Sequence, residues 1–229
     1  MKEAIILAGG YPGTLMQDSG SLPNFMQLIK GKPFLDYIIK YLKKEGIQKI
    51  VFALGYQHRF IQEYLTQHEN CTSFVFSIEE KRMGTGGAVA LAMKYCNEEN
   101  IAILNGDILF KVPLNILLKS HLKHSAICTI ALKPMFGSCR YGLVEMDAQH
   151  MIYSFQEKQF FKVGLINGGV YILNKKEFLQ LTQPGPFSFE SDFLKIQVGH
   201  HKIFGEVRED YYIDVEEKND RQKAAIELS

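Results

Sequence analysis

Apolar residues in the first 125 positions fall into short uninterrupted runs, separated by segments whose apolar residues recur every three or four positions. Uninterrupted runs are typical of strands buried on both faces, whereas the three-and-four spacing indicates one buried face of a helix. Strands that alternate with helices favour a parallel sheet covered on both sides. The pattern predicts strands at 3–8, 49–54, 73–78 and 101–104, and helices at 33–44, 57–67 and 86–95.

Beyond residue 125 the apolar runs follow one another more closely, and Asp147 to His150 has the composition of a hairpin turn. No internal repeat or linker separates this part from the first, so we predict one α/β domain over residues 1–229 with a Rossmann-like, mostly parallel sheet sandwiched by helices. The second part predicts strands at 126–133, 142–146, 151–155, 165–173, 202–207 and 211–213, and helices at 176–181, 189–197 and from about 219.

Composition and charge exclude several classes of function. Hydrophobic residues make up 46% and charged residues 22%, which is ordinary for a globular domain, and the net charge of +1 argues against a nucleic-acid surface. No apolar run approaches the roughly 20 residues of a membrane span, and the N-terminal apolar run is too short for an export signal. The four cysteines have no zinc-ligand spacing, so we expect free thiols in a cytoplasmic protein that binds neither nucleic acid nor membrane.

Two glycine-rich segments follow predicted strands, Gly9-Gly10 and Gly84-Thr85-Gly86-Gly87. Glycine lets a backbone approach a ligand closely, and free N–H groups at a helix start can hold phosphate. A tight turn or close helix packing explains the same residues without a ligand. Ligands of parallel sheets bind beyond the carboxyl ends of the strands, so we expect both segments to meet Asp107 there.

Two carboxylates end predicted strands, Asp107 after the run 101–104 and Asp214 after the run 211–213. An unpaired acid in such a place is costly, which favours a cation or polar partners nearby. The two side chains could share one Mg²⁺ through oxygen ligands, with phosphates and water completing the shell. The alternative for each is a helix cap or a turn former.

Eight short motifs follow one another along the whole chain. They are Leu7-Ala8-Gly9-Gly10, Gly31-Lys32-Pro33-Phe34-Leu35, Gly84-Thr85-Gly86-Gly87, Leu104-Asn105-Gly106-Asp107, Tyr141-Gly142, Phe155-Gln156-Glu157-Lys158, Ile166-Asn167-Gly168-Gly169 and Ile213-Asp214. In this order they resemble the motifs of the sugar-1-phosphate nucleotidylyltransferases, whose members form a nucleotide-sugar and pyrophosphate from a nucleoside triphosphate and a sugar 1-phosphate. Among these the chain is most similar to the D-glycero-D-manno-heptose 1-phosphate guanylyltransferases and the short mannose-1-phosphate guanylyltransferases.

The resemblance implies the nucleotide-diphospho-sugar transferase fold, with residues 1 to about 125 for the nucleotide and about 126–229 for the sugar phosphate. It implies Mg²⁺ on Asp107 and Asp214, both catalytic together with Lys158, which would bind the sugar phosphate. Glu79 holds the base-reading position, and a carboxylate suits the N1–H and N2–H₂ donors of guanine, so GTP is favoured. The remaining implied contacts are Leu7, Ala8, Gly9, Gly10, Gly84, Thr85 and Asn105 for the nucleotide, and Gly142, Glu157 and Asn167 for the sugar.

The phosphate loop departs from the family pattern. Pro12 stands where the family has glycine, Thr14 where it has arginine and Asn24 where it has lysine, so two cations expected at the triphosphate are missing. Lys30, Lys32 and Arg82 are the candidate replacements. The alternative is a weak or inactive homologue that binds a nucleotide or sugar phosphate as a regulatory protein. The resemblance also allows a homodimer and a role in supplying bacterial polysaccharide or lipopolysaccharide precursors.

Overall fold

In the computed structural model, which describes residues 1–10, 22–67, 72–198, 200, 202–216 and 218–228, one mixed nine-stranded sheet is flanked by helices. The strands are β1 (Glu3–Ala8), β2 (Leu28–Ile29), β3 (Lys32–Pro33), β4 (Lys49–Leu54), β5 (Ser73–Ile78), β6 (Asn100–Asn105), β7 (Ile108–Phe110), β8 (Cys128–Ser138), β9 (Leu143–Met146), β10 (Ile152–Phe155), β11 (Phe161–Asn174), β12 (Ile203–Val207) and β13 (Tyr212–Asp214).

The helices occupy both faces of that sheet. Short 3₁₀ turns lie at Asn24–Met26 and Met93–Tyr95, and a π-helix spans Phe189–Leu194. The α-helices are α1 (Phe34–Lys44), α2 (His58–Thr66), α3 (Gly84–Ala92), α4 (Leu114–Lys123), α5 (Lys175–Leu181), α6 (Lys195–Val198) and α7 (Lys218–Glu227). Within the described ranges, no helix is both long and apolar enough to span a membrane.

The strand order is β10-β9-β11-β6-β1-β4-β5, and β8 and β12 extend the sheet from the other edge of β11. Strands β6, β1, β4 and β5 are parallel, whereas β11 runs antiparallel to β6. This confirms the expected α/β architecture with a mostly parallel first part and a mixed second part. It also aligns the carboxyl ends of β1, β5 and β6 along one edge, where a ligand site is expected.

The uninterrupted apolar runs are buried because both faces of the sheet are covered. In β1, Ala4 and Ile6 belong to the core under α1 and α2, while Ile5 belongs to the core under α3. Helix α1 starts directly after Pro33, and Lys43 and Lys44 complement the negative end of its dipole. The central strands are therefore held rigidly enough to position the loops that follow them.

Two strands, β8 and β11, extend by four or more residues beyond one of their predicted bounds. Strand β8 continues past Pro134 to Ser138 because β12 ends opposite Leu132, which leaves an edge segment that tolerates a residue without an N–H. Strand β11 pairs with that extension and shifts register between Asn167 and Tyr171. Asn167 and Tyr171, on either side of this shift, line two different cavities.

Candidate active site

A cleft of about 640 Å³ opens at the carboxyl ends of β1 and β6. It brings together seven of the eight residues expected to bind the nucleotide; the exception, Ala8, is 1% exposed and packs in the core. Residues of the second half of the chain close the opposite wall. The lining comprises Leu7, Gly9, Gly10, Glu79, Arg82, Gly84, Thr85, Ala88, Asn105, Gly106, Asp107, Tyr171, Pro186, Ser188, Phe189 and Glu190.

Glu79 is half-buried at the end of β5, with its carboxylate against two glycines. One oxygen, Oε2, accepts a hydrogen bond from the Met83 N–H at 2.9 Å. The other, Oε1, lies so close to Gly9 and Gly55 that an added Cβ on Gly55 would stand 2.5 Å from it. The protein thus fixes the carboxylate through one oxygen and leaves the second beside Gly9 in the cleft wall.

The second glycine segment is packed by the chain itself. Residues 184–189, here called the covering segment, cross the start of α3, and the Phe187 carbonyl accepts the N–H groups of Gly86 at 3.0 Å and Gly87 at 3.4 Å. Phe187 N–H in turn donates to the Met83 carbonyl at 3.0 Å. These bonds use the N–H groups that the sequence suggested as hydrogen-bond donors to phosphate. Close packing therefore explains why residues Gly86 and Gly87 are glycines. Gly84 and Thr85 still line the cleft.

The two expected metal ligands are neighbours through a short antiparallel ribbon of β7 and β13. Asp214 pairs with Ile108 in that ribbon, and the Val215 N–H donates to the Asp107 carbonyl at 3.0 Å. Asp107 lines the cleft, whereas Asp214 is 7% exposed and does not. The ribbon therefore joins residues that lie more than one hundred positions apart in the sequence.

Asp214 is held by groups that sequence reasoning did not identify. Its Oδ2 accepts a hydrogen bond from the Tyr141 hydroxyl at 3.0 Å and lies 3.5 Å from Arg140 Nη2. Its Oδ1 accepts from the Glu216 N–H at 2.9 Å. Arg140 also pairs with Asp220 on α7. Tyr141 of the Tyr141-Gly142 motif thus has a structural role beside the acid pair, Asp107 and Asp214, because its hydroxyl orients Asp214.

The electrostatics of the acid pair suit a cation. Burial, followed by the negative charges of Asp214 and then Glu216 and Glu190, raises the pKa of Asp107 to about 6. Repulsion of this kind is relieved by a positive charge, and paired carboxylate oxygens are hard ligands of the type Mg²⁺ accepts. The described part of the chain contains no group of three or more His, Cys, Asp or Glu side chains arranged for a metal. The two aspartates would therefore need ligands from a substrate or water.

A second cavity of about 200 Å³ shares the lining residue Glu190 with the cleft, and all four residues expected at the sugar phosphate line it. Lys158 is exposed there, and Glu157 pairs with Lys195, a cation of α6 with no signal in the sequence pattern. Lys195 lowers the pKa of Glu157. The lining comprises Gly142, Leu143, Val144, Phe155, Gln156, Glu157, Lys158, Asn167, Glu190, Ser191 and Lys195.

Glu190 lines both cavities and marks where they meet. Asn167 Nδ2 donates to the Tyr171 hydroxyl oxygen at 2.8 Å and to Glu190 Oε1 at 3.2 Å, while Asn167 Oδ1 accepts the Gly169 N–H at 3.0 Å. Sequence reasoning missed Glu190 and Tyr171. The sequence signal that could have indicated the helix carrying Glu190 was Ser188, a residue type common at helix N-caps. Ser188 caps the π-helix by accepting the Ser191 N–H at 3.1 Å.

Of the three candidate replacement cations, Arg82 lies in the cleft wall. Lys30 and Lys32 instead line a separate surface cavity beside α1, so the structure does not place them at the triphosphate. Asn24 lies in a 3₁₀ turn and lines neither cavity of the site. Pro12 and Thr14 lie outside the described residues.

Fold and cleft together define an α/β protein with a ligand-sized cleft beyond the carboxyl ends of its parallel strands. The Nucleotidyl transferase family matches residues 3–219, and the chain belongs to that family. It is 41% identical over 226 residues to the D-glycero-alpha-D-manno-heptose 1-phosphate guanylyltransferase of Aneurinibacillus thermoaerophilus, covering 99% of this chain and 98% of that protein. The enzyme of the same name from Campylobacter jejuni is 39% identical, over 93% of this chain and 94% of its own.

A solved structure agrees along the full length. HddC from Yersinia pseudotuberculosis, crystallised in complex with GMP-PN, matches with a TM-score of 0.89 and 31% identity, over 100% of both chains. The fold is therefore that of the nucleotide-diphospho-sugar transferases, as the resemblance implied.

Proposed function

We propose that this protein is a guanylyltransferase that converts GTP and a sugar 1-phosphate to a GDP-sugar and pyrophosphate. The observation that carries the proposal is the pair of cavities that share Glu190, with Asp107 in the wall of the larger one and Lys158 in the wall of the smaller. The two relatives named as heptose 1-phosphate guanylyltransferases support guanine and a heptose. The product would supply polysaccharide or lipopolysaccharide synthesis in bacteria.

The reaction joins a sugar phosphate oxygen to the α-phosphorus of GTP and breaks the bond from that phosphorus to the oxygen between the α- and β-phosphates, which leaves as part of pyrophosphate. The first half of the chain would bind the nucleotide and the second half the sugar phosphate, with Lys158 and Lys195 as point charges beside it. Asp107 and Asp214 would hold Mg²⁺, which supplies charge neutralisation at the phosphates when bound. Positioning of the two substrates and neutralisation of the phosphate charges would then account for most of the rate acceleration.

Glu79 would read guanine with the oxygen that Met83 does not engage. In the Glu79→Gln variant, the amide oxygen can keep the Met83 N–H bond, so an N–H₂ group replaces the free acceptor facing the base. We expect kcat/KM for GTP to fall about 10- to 100-fold, as for one lost charged hydrogen bond, with a smaller change for dTTP. Glu63→Gln on the exposed face of α2 is the matched control.

The experiment measures pyrophosphate release from GTP, ATP, UTP, CTP and dTTP, with heptose 1-phosphate and mannose 1-phosphate as acceptors. The proposal predicts release with GTP and one of these sugars. Calorimetric binding of GTP and Mg²⁺ without release would instead support a regulatory binding protein. Equal use of dTTP and GTP by the unmodified protein would overturn the assignment of Glu79.

A further inference from the structure

Helix α7 is anchored beside the strand that ends at Asp214. Ala224 of this helix is fully buried and belongs to the same core cluster as Ile213 and Val215, the residues that flank Asp214. Close packing of this kind leaves a helix little freedom to shift relative to the strand. The first turn of α7 therefore has a fixed place beside the acid pair.

The first contact between α7 and Asp214 is made by side chains. Asp220, in the first turn of α7, pairs with Arg140 Nη1, and Arg140 Nη2 lies 3.5 Å from Asp214 Oδ2. The same guanidinium lies over the Tyr141 ring, 5.3 Å from its centroid, and the Tyr141 hydroxyl donates to that oxygen at 3.0 Å. A guanidinium is planar and presents its donors in a fixed fork, so an arginine between two carboxylates restricts both of them. Asp214 Oδ2 is thus held from α7 through Arg140.

The second contact between α7 and Asp214 is made through the backbone. One guanidinium nitrogen of Arg221, Nη1, donates to the carbonyl oxygens of Val215 and Glu216, each at 3.0 Å. The Glu216 N–H in turn donates to Asp214 Oδ1 at 2.9 Å. Arg221 therefore fixes the backbone that supplies this N–H, and both oxygens of Asp214 are held from the same helix.

The charges of this network cancel at the place where a cation is expected. An uncompensated arginine 3.5 Å from Asp214 would repel Mg²⁺ from that carboxylate. Asp220 neutralises Arg140, so the pair orients Asp214 without adding a net positive charge. Groups that orient a metal-binding carboxylate typically change metal affinity by about 10- to 100-fold when they are removed.

We propose that α7 positions Asp214 for Mg²⁺, with Arg140, Asp220 and Arg221 as positioning residues that touch neither the metal nor the substrates. The inference rests on the proposed function, since it concerns the metal that would neutralise the phosphates. It extends that function beyond the two cavities: within the described part of the chain, none of the three residues lines either cavity.

The test removes the ion pair without changing the net charge. The double variant Arg140→Met/Asp220→Asn loses one positive and one negative charge together, so a changed Mg²⁺ requirement reports the position of Asp214. We expect the Mg²⁺ concentration for half-maximal GTP binding, measured by calorimetry, to rise about 10- to 100-fold, with GTP binding in the absence of Mg²⁺ unchanged. Arg221→Met leaves the ion pair in place and should raise the same concentration about tenfold.

The matched control is the ion pair of Arg208 and Asp210, whose side chains are similarly exposed. Arg208→Met/Asp210→Asn also conserves the net charge, and it should leave the Mg²⁺ requirement within about twofold of the unmodified protein. Arg140→Lys should raise the Mg²⁺ requirement less than Arg140→Met. An ammonium keeps the charge and loses the fork that bridges two carboxylates.

Three results would overturn the inference. A Mg²⁺ requirement unchanged in the double variant and in Arg221→Met would show that α7 does not position Asp214. An equal loss of GTP binding with and without Mg²⁺ would make the network a general structural support. GTP binding by the unmodified protein that is independent of Mg²⁺ would remove the metal from the site. If instead GTP binds with Mg²⁺ and no pyrophosphate is released, the proposed reaction fails, and the Mg²⁺ requirement of the same variants still decides the role of α7.

Discussion

The two glycine segments at the nucleotide cleft look alike in the sequence but are used differently. Among the described residues, no heavy atom lies within 4 Å of the place where a Cβ on Gly10 would stand, and Gly10 lines the cleft. An added Cβ on Gly86 would stand 2.1 Å from the Phe187 ring. The described residues thus leave the space beside Gly10 to a ligand, whereas the covering segment fills the space beside Gly86. A glycine motif therefore indicates a close approach to the backbone. Only the fold shows whether a ligand or another segment of the chain makes that approach.

The strongest test of the packed segment is Gly84→Ala. Gly84 has φ of +67°, and an added Cβ would stand 2.4 Å from the Phe187 carbonyl oxygen. Left-handed backbone and overpacking together should lower the free energy of unfolding by about 2 to 5 kcal/mol. Urea unfolding followed by circular dichroism measures this. A variant as stable as the original protein would mean that the covering segment moves aside at little cost.

The open segment predicts the opposite behaviour for Gly10→Ala. With no described atom near the new methyl group, we expect the unfolding free energy to change by less than about 0.5 kcal/mol. The methyl group would stand where the nucleotide approaches, so the Kd for GTP should rise about tenfold, or 1.4 kcal/mol. Calorimetry on a variant with an unaltered melting temperature provides the measurement. Loss of stability with intact GTP binding would reverse the two assignments.

The smallest expected effect, between pH 7 and pH 6, is a pH dependence of GTP binding that arises at Asp107 in the lining of the cleft. The pKa of Asp107 is raised to about 6, so its proton is lost as pH rises through that value. Mg²⁺ binds the deprotonated carboxylate, and Mg²⁺-dependent GTP affinity should therefore fall roughly twofold from pH 7 to pH 6 and about tenfold by pH 5. Asp107→Asn should remove this dependence. A flat profile in the unmodified protein would show that Asp107 is not the titrating ligand.

Prediction from the sequence succeeded where local pattern decides the structure. The bounds of β1, β4 and β5 match because apolar runs between turn residues leave few alternatives. The convergence of Gly9, Gly84 and Asp107 on one cleft follows from the parallel sheet rule.

Contacts between distant segments could not be predicted in this way. The engagement of Gly86 by Phe187 joins positions about one hundred residues apart and depends on how the second half folds back. The same holds for Arg140 at Asp214 and for Glu190 at the cavity junction. No periodicity or spacing in one sequence records such pairs.

The covering segment also forms a structural connection between the two cavities. At one end it is bonded to the start of α3 in the nucleotide cleft, and at the other it leads into the π-helix that carries Glu190. Glu190, which follows this segment, lines both cavities, so a ligand that shifted it in one cavity would change the affinity of the other. Linkage requires the effect to be reciprocal: whatever factor GTP applies to sugar 1-phosphate binding, the sugar phosphate applies to GTP binding.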